Sequence, residues 1–121
     1  VIPKHISEFL RTAIRSTWAL DSLRLIKLAP ARTWTSAALT AELRGSVPMV
    51  EGILAGFARW GLVLEDPPGF YRYAANAELD ATVSELLRLY AERPVAVIGE
   101  IALSPNDKIQ TFVDAFRMKK D

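Results

Sequence analysis

A chain of 121 residues, half apolar and about a quarter charged, has enough material for one domain with its own core. It contains no cysteine, which excludes disulfides and thiolate chemistry, and its single histidine, His5, excludes a histidine-rich metal site. The net charge is only +1, without the basic excess common in nucleic-acid-binding domains.

The predicted elements run as follows along the chain. After Pro3, the apolar residues Ile6, Phe9, Leu10, Ala13 and Ile14 recur at helical spacing, with Arg11 and Arg15 on the opposite face. Ser16 or Thr17 caps a second helix holding Trp18, Leu23 and Ile26, or the two helices run together; Pro30 ends the segment. Trp34 sits in a short β-prone stretch. Thr35 or Ser36 then caps a helix that turns Leu39 and Leu43 inward, Gly45 suits its C-terminal cap, and Ser46 caps the next. That helix spans about Val47 to Trp60, with Val50, Ile53, Leu54, Phe57 and Ala58 on its core face, and Gly61 stops it. Leu62–Leu64 and Phe70–Tyr73 read as two strands around an Asp66-Pro67-Pro68-Gly69 turn. Asn76 caps a long helix with Leu79, Val83, Leu86, Leu87 and Tyr90 inward. Pro94 opens another from Val95 to Leu103, and Ile109, Phe112, Val113 and Phe116 mark a final amphipathic helix. No apolar run approaches the ~18 residues of a membrane span, and VIPKHISEF lacks the apolar stretch of a secretory signal. A cytoplasmic protein is expected.

The order helix, tight turn, helix, strand, turn, strand is the layout of a winged helix-turn-helix. Residues 17–75 resemble the bacterial winged-helix transcription regulators, in the broad style of the multiple-antibiotic-resistance group. The matching stretches are TWTSAALTAELRGS, VEGILAGFARWGLV and the wing ending GFYRYA. The resemblance implies a mainly α domain with a small β-hairpin wing and helical extensions at both ends. Residues 1–16 would form the N-terminal helix, 17–75 the winged-helix core, and 76–121 helices that pair two subunits. It implies a homodimeric regulator that binds double-stranded DNA with the 47–60 helix in the major groove.

The face of that helix opposite its core carries Pro48, Gly52, Ala55, Gly56 and Arg59, flanked by Ser46, Met49 and Glu51. Base edges are read by Arg, Lys, Asn, Gln, Ser or Thr, and only Arg59 qualifies clearly. Glu65 and Asp66 stand at the wing tip, and residues 61–80 hold Arg72 against Glu65, Asp66, Glu78 and Asp80. Residues 1–30 are the basic part, so Arg11 and Arg15, with Arg72, are the candidate phosphate contacts. The Gly52/Gly56 row with Ala55 makes a smooth surface open to close approach by another backbone. The alternative reading is therefore an adaptor that binds another protein through this small-residue face, with little or no DNA binding. No Gly-rich phosphate loop, paired metal ligands or cysteine nucleophile is present, so neither enzyme activity nor a cofactor is expected. His5, Ser7 and Glu8 include the residue types of a triad, but a solvated histidine is the simpler reading. The apolar PVAVIGEIAL segment and the helix after it point to a dimer interface through Val95, Ile98, Ile101, Ile109, Phe112, Val113 and Phe116.

Overall fold

In a computed structural model that describes residues 2–103, the chain is mainly helical, with six helices and one two-stranded antiparallel sheet. Side-chain caps set where most helices begin. Helix α1 (Lys4–Thr12) starts after Pro3 without such a cap. Helix α2 (Thr17–Leu28) is capped by Ser16, whose Oγ accepts from Ala19 N at 3.1 Å. The two helices are separate: the chain leaves helical geometry after Thr12, yet Ile14 in the connection is still fully buried. The Ser16 cap also sets the register of α2. Ala19, Leu20, Ser22, Leu23 and Ile26 are buried, whereas Trp18 is 40% exposed.

Helix α3 (Ser36–Leu43) is capped by Thr35, whose Oγ1 accepts from Ala38 N. Its C-terminal turn differs from expectation. Arg44, not Gly45, takes the left-handed conformation, with φ 58° and its N–H bonded to Thr40 O at 2.8 Å. A Cβ at Gly45 would stand 2.5 Å from Met49 Cε, the movable end of that side chain, and 3.4 Å from the Trp18 ring. Ser46 caps helix α4 (Val47–Trp60), and Gly61 ends it at φ 78° while Leu62 N reaches back to Phe57 O at 2.9 Å.

Strands β1 (Val63–Glu65) and β2 (Tyr71–Tyr73) pair Val63 with Tyr73, Leu64 with Arg72 and Glu65 with Tyr71. Against the expected Leu62–Leu64, β1 is shifted by one residue, and β2 lacks Phe70, which instead closes the turn, its O accepting from Asp66 N and its N–H donating to Pro67 O. Trp34 adds a bridge on the outer side of β2, exchanging both backbone hydrogen bonds with Tyr71. Asn76 caps helix α5 (Ala77–Glu92), and helix α6 (Pro94–Leu103) follows at once.

One hydrophobic cluster joins all of this. It runs from Ile6, Phe9 and Leu10 of α1 through Leu23, Trp34, Leu39, Leu54 and Phe57 to Val83 and Leu86 of α5 and Val97 and Ile101 of α6. Each fully buried side chain of this size contributes roughly 1.5–3 kcal/mol. Helix α6 packs on α1 and α5, while α4 packs on α3 and β1. No described helix is long and apolar enough to cross a membrane.

Candidate functional site

Helix α4 is held from beneath by Val50, Leu54 and Phe57, all buried. Its opposite side is open: Pro48, Glu51, Gly52, Ala55 and Arg59 are exposed, and Gly56 and Met49 are half-buried. A Cβ at Gly52 would meet nothing within 4 Å, whereas one at Gly56 would meet the Arg59 guanidinium at 3.8 Å. The Arg59 head group thus lies back over the glycine one turn before it. Ser46 is engaged as the cap, its Oγ accepting from Met49 N at 3.4 Å.

The small-residue row forms one wall of a groove of about 430 Å³ whose other wall is the α1–α2 corner. Thr12, Ala13, Arg15, Ser16 and Ala19 face Met49, Gly52, Ile53, Gly56, Phe57, Arg59 and Trp60 across it. Two candidate sets separated by more than thirty residues in sequence, Arg15 on one side and Met49, Gly52, Gly56 and Arg59 on the other, therefore share one concavity. Among the described residues, the charged side chains that line it are Arg15 and Arg59. Trp60, 48% exposed, stands at one end; in place of the core role usual for tryptophan, it contributes an open aromatic surface.

The flank of α4 toward the hairpin has the opposite character. The Tyr71 phenol is pushed above its ordinary range first by burial, then by hydrogen bonding and charge from Glu65, and then by the charge of Glu51. Two carboxylates, one on α4 and one on β1, thus act on the same ring. At the turn, Glu65 Oε2 also accepts from Gly69 N at 2.9 Å, where Gly69 adopts φ 89°. Arg72 is exposed at the centre of β2, across from Leu64. Arg11 is exposed in the last turn of α1 but does not line the groove.

Two arginines escaped the sequence reading. The Arg32 guanidinium stacks 3.6 Å from the centre of the buried Trp34 ring, beside the strand bridge. Arg44 is exposed at the left-handed turn between α3 and α4. The Arg-x-Trp spacing was the signal available for the first; nothing in the sequence marked the second, because Gly45 was the natural left-handed residue.

His5, Ser7 and Glu8 do not converge. His5 Nε2 lies 2.7 Å from Glu85 Oε1 on α5, and Ser7 Oγ donates to Glu100 on α6 at 2.9 Å. His5 is tethered to α5 instead of being solvated alone. Among the described residues no group of three or more His, Asp or Glu side chains is placed to hold a metal.

Of the interface candidates, Val95 and Ile98 are exposed on α6, at 82% and 41%, while Ile101 is 6% exposed and turned into the chain's own core beside Val97. Ile101 is thereby removed from the outward face, because α6 uses its Val97/Ile101 edge to pack on α1 and α5. Ile109, Phe112, Val113 and Phe116 lie outside the described residues. Neither a family model, a curated protein nor a solved structure matches the chain.

Proposed function

We propose that the chain is a winged helix-turn-helix transcription regulator that binds double-stranded DNA as a homodimer in the bacterial cytoplasm. The observation that carries this reading is the seating of α4. It follows α3 through a tight left-handed turn, rests on α3 and β1, and leaves its outer side open along the whole helix. The hairpin comes next, with the Trp34 bridge along β2. A helix presented in this way fits the major groove. Arg59 is the one basic side chain on its outer side, with Arg15, Arg44 and Arg72 exposed around it.

A second reading, an adaptor that binds protein through the same small-residue face, draws support from what α4 lacks. Pro48, Glu51, Gly52 and Ala55 present no Arg, Lys, Asn or Gln to base edges. A binding titration of the full chain against random and genomic-upstream duplexes separates the two. Salt-sensitive retention of DNA is expected from the first; no retention at low salt would overturn it in favour of the adaptor.

A further inference from the structure

We propose that residues 104–121 of the same chain seat their apolar row, Ile109, Phe112, Val113 and Phe116, in the groove between the α1–α2 corner and α4, and so hold the open side of α4 covered. The groove is apolar along its floor. Ala19 and Phe57 are buried there, and Ala13, Met49 and Ile53 are half-buried beside them. The apolar surface runs on at both ends. Trp60 stands 48% exposed at one; at the other, the Met49 methyl and the exposed Trp18 ring both lie against Gly45. Between them, Gly52 leaves open space in the α4 wall where a side chain would stand. A concavity of this kind takes the apolar face of a helix through anchors at i, i+3, i+4 and i+7.

The chain itself carries that pattern: Ile109, Phe112, Val113 and Phe116 recur at this spacing. At about 1.5 Å per residue the row is about 10 Å long, and the α4 wall from Met49 to Trp60 about 16 Å. The reach also suffices. Helix α6 is fastened to α1 where Ser7 Oγ donates to Glu100 at 2.9 Å. Thr12, which lines the groove, lies only about 7.5 Å further along α1. The stretch from Leu103 to Ile109, with its Ser104-Pro105-Asn106-Asp107 turn signal, can extend to about 20 Å. So short a link places the row at an effective concentration of about millimolar. A second copy at micromolar protein competes poorly with that, which makes this chain's own segment the occupant. Any outside partner of α4, nucleic acid or protein, must then displace it. The seating is an autoinhibitory contact, and it is measured without a partner.

The chain has no cysteine, so one introduced thiol reports on one place. Thr12 is exposed on the groove's corner wall, and Ser84 is exposed on α5 outside the lining. In the full chain, Thr12→Cys should react with an aromatic disulfide reagent at least about tenfold more slowly than Ser84→Cys. Adding Phe112→Asp and Phe116→Asp to Thr12→Cys should raise its rate by about that factor. Adding Gly52→Leu instead should do the same from the groove side, because it fills open space and leaves the segment itself unchanged. Glycine removal favours the helix, so this variant keeps its fold, which circular dichroism checks. A Thr12→Cys thiol as reactive as Ser84→Cys in the full chain, or protection unchanged in either folded variant, would overturn the seating. Protection that grows with protein concentration would overturn it in favour of a second copy's segment.

Discussion

The hydroxyl of Tyr73, at the end of β2, donates to Oδ1 of Asp80 in the first turn of α5, the same oxygen that Lys27 Nζ of α2 approaches at 2.7 Å. The Lys27 ammonium also lies 5.2 Å from the centre of the Tyr73 ring. Three elements that position the hairpin are thus joined at one carboxylate. The Asp80 carboxyl is held below its usual range, chiefly by the hydrogen bond from Lys27 and then by that from Tyr73. The Tyr73 phenol is held above its ordinary value, first by burial and then by the bond to Asp80.

These shifts predict a stability profile with two limbs. The depressed Asp80 stabilises the fold above the ordinary carboxylate range, about pH 4, and that contribution is lost as pH falls through the folded value. The raised Tyr73 stabilises below about pH 10 and its contribution is lost as pH rises through the folded value. Urea midpoints measured across pH should fall at both ends. Tyr73→Phe should flatten the alkaline limb and Asp80→Asn the acid one. At neutral pH Asp80→Asn should cost about 1 kcal/mol, less than the ~1.5–3 kcal/mol of a bond to a charged group, because the Asp80 side chain is 40% exposed and its pairing is screened. Parallel profiles for wild type and both variants would contradict the assignment.

The left-handed Arg44 supplies a second expectation. A residue with a Cβ in that region carries about 1–2 kcal/mol of strain, while glycine loses about 0.5–1 kcal/mol more backbone entropy on folding. Arg44→Gly should therefore stabilise the chain by about 0.5–1 kcal/mol, and Arg44→Val should destabilise it by more than that gain. Thermal melts of the two variants check the sign of each. A destabilised Arg44→Gly protein would mean that the Arg44 side chain contributes more than its backbone costs.

Much of this was legible in the sequence where one face of a helix meets the core. The spacing of Ile6, Phe9 and Leu10, of Val50, Leu54 and Phe57, and of Val83 and Leu86 placed these residues inward, and they are buried. Caps at Ser46 and Asn76 were legible, and those at Ser16 and Thr35 to within one residue, because each side chain bonds a backbone N–H three residues on, a purely local event. What failed depended on a single step of register or on long separation. Arg44 and Gly45 are adjacent, and composition favours the glycine for a left-handed turn, yet Arg44 adopts it. Arg15 and Gly56 meet across one groove only after α1, α2 and α4 are folded together, and Lys27 finds Asp80 fifty-three residues away. No periodicity encodes such pairings.

Trp34 supports the hairpin from the outside, and its indole Nε1 is buried without a hydrogen-bond partner among the described residues. Trp34→Phe therefore loses volume but no hydrogen bond. It should cost less than the roughly 3–5 kcal/mol expected for Trp34→Ala. Arg32→Ala removes a stacked cation and should cost about 0.5–1 kcal/mol. A double-mutant cycle between Arg32→Ala and Trp34→Phe, read by urea denaturation, should show coupling smaller than the Arg32→Ala effect alone, since a phenyl face still offers a partial platform. No loss in Arg32→Ala would show that the stacking does not contribute to folding.

Helix α6 divides its apolar residues between two sides. Val97 and Ile101, four residues apart, are buried against α1 and α5, whereas Val95 and Ile98 are exposed. Glu100, the only charge in Pro94–Leu103, accepts a hydrogen bond from Ser7 on α1, which fixes the roll of α6 and keeps Val95 and Ile98 outward. An isologous contact between two copies would cover that face, and two-fold pairing is the commonest arrangement of such surfaces. Light scattering at micromolar concentration should then give about twice the chain mass, in line with the affinity of a stable interface. Val95→Asp with Ile98→Asp should yield a folded monomer, because neither side chain supports the core. Val97→Asp should instead unfold the C-terminal part of the domain, since it buries an unpaired charge. A full-length chain that stays monomeric at high concentration, or a Val95→Asp/Ile98→Asp protein that still doubles its mass, would show that the outward face of α6 does not join two subunits.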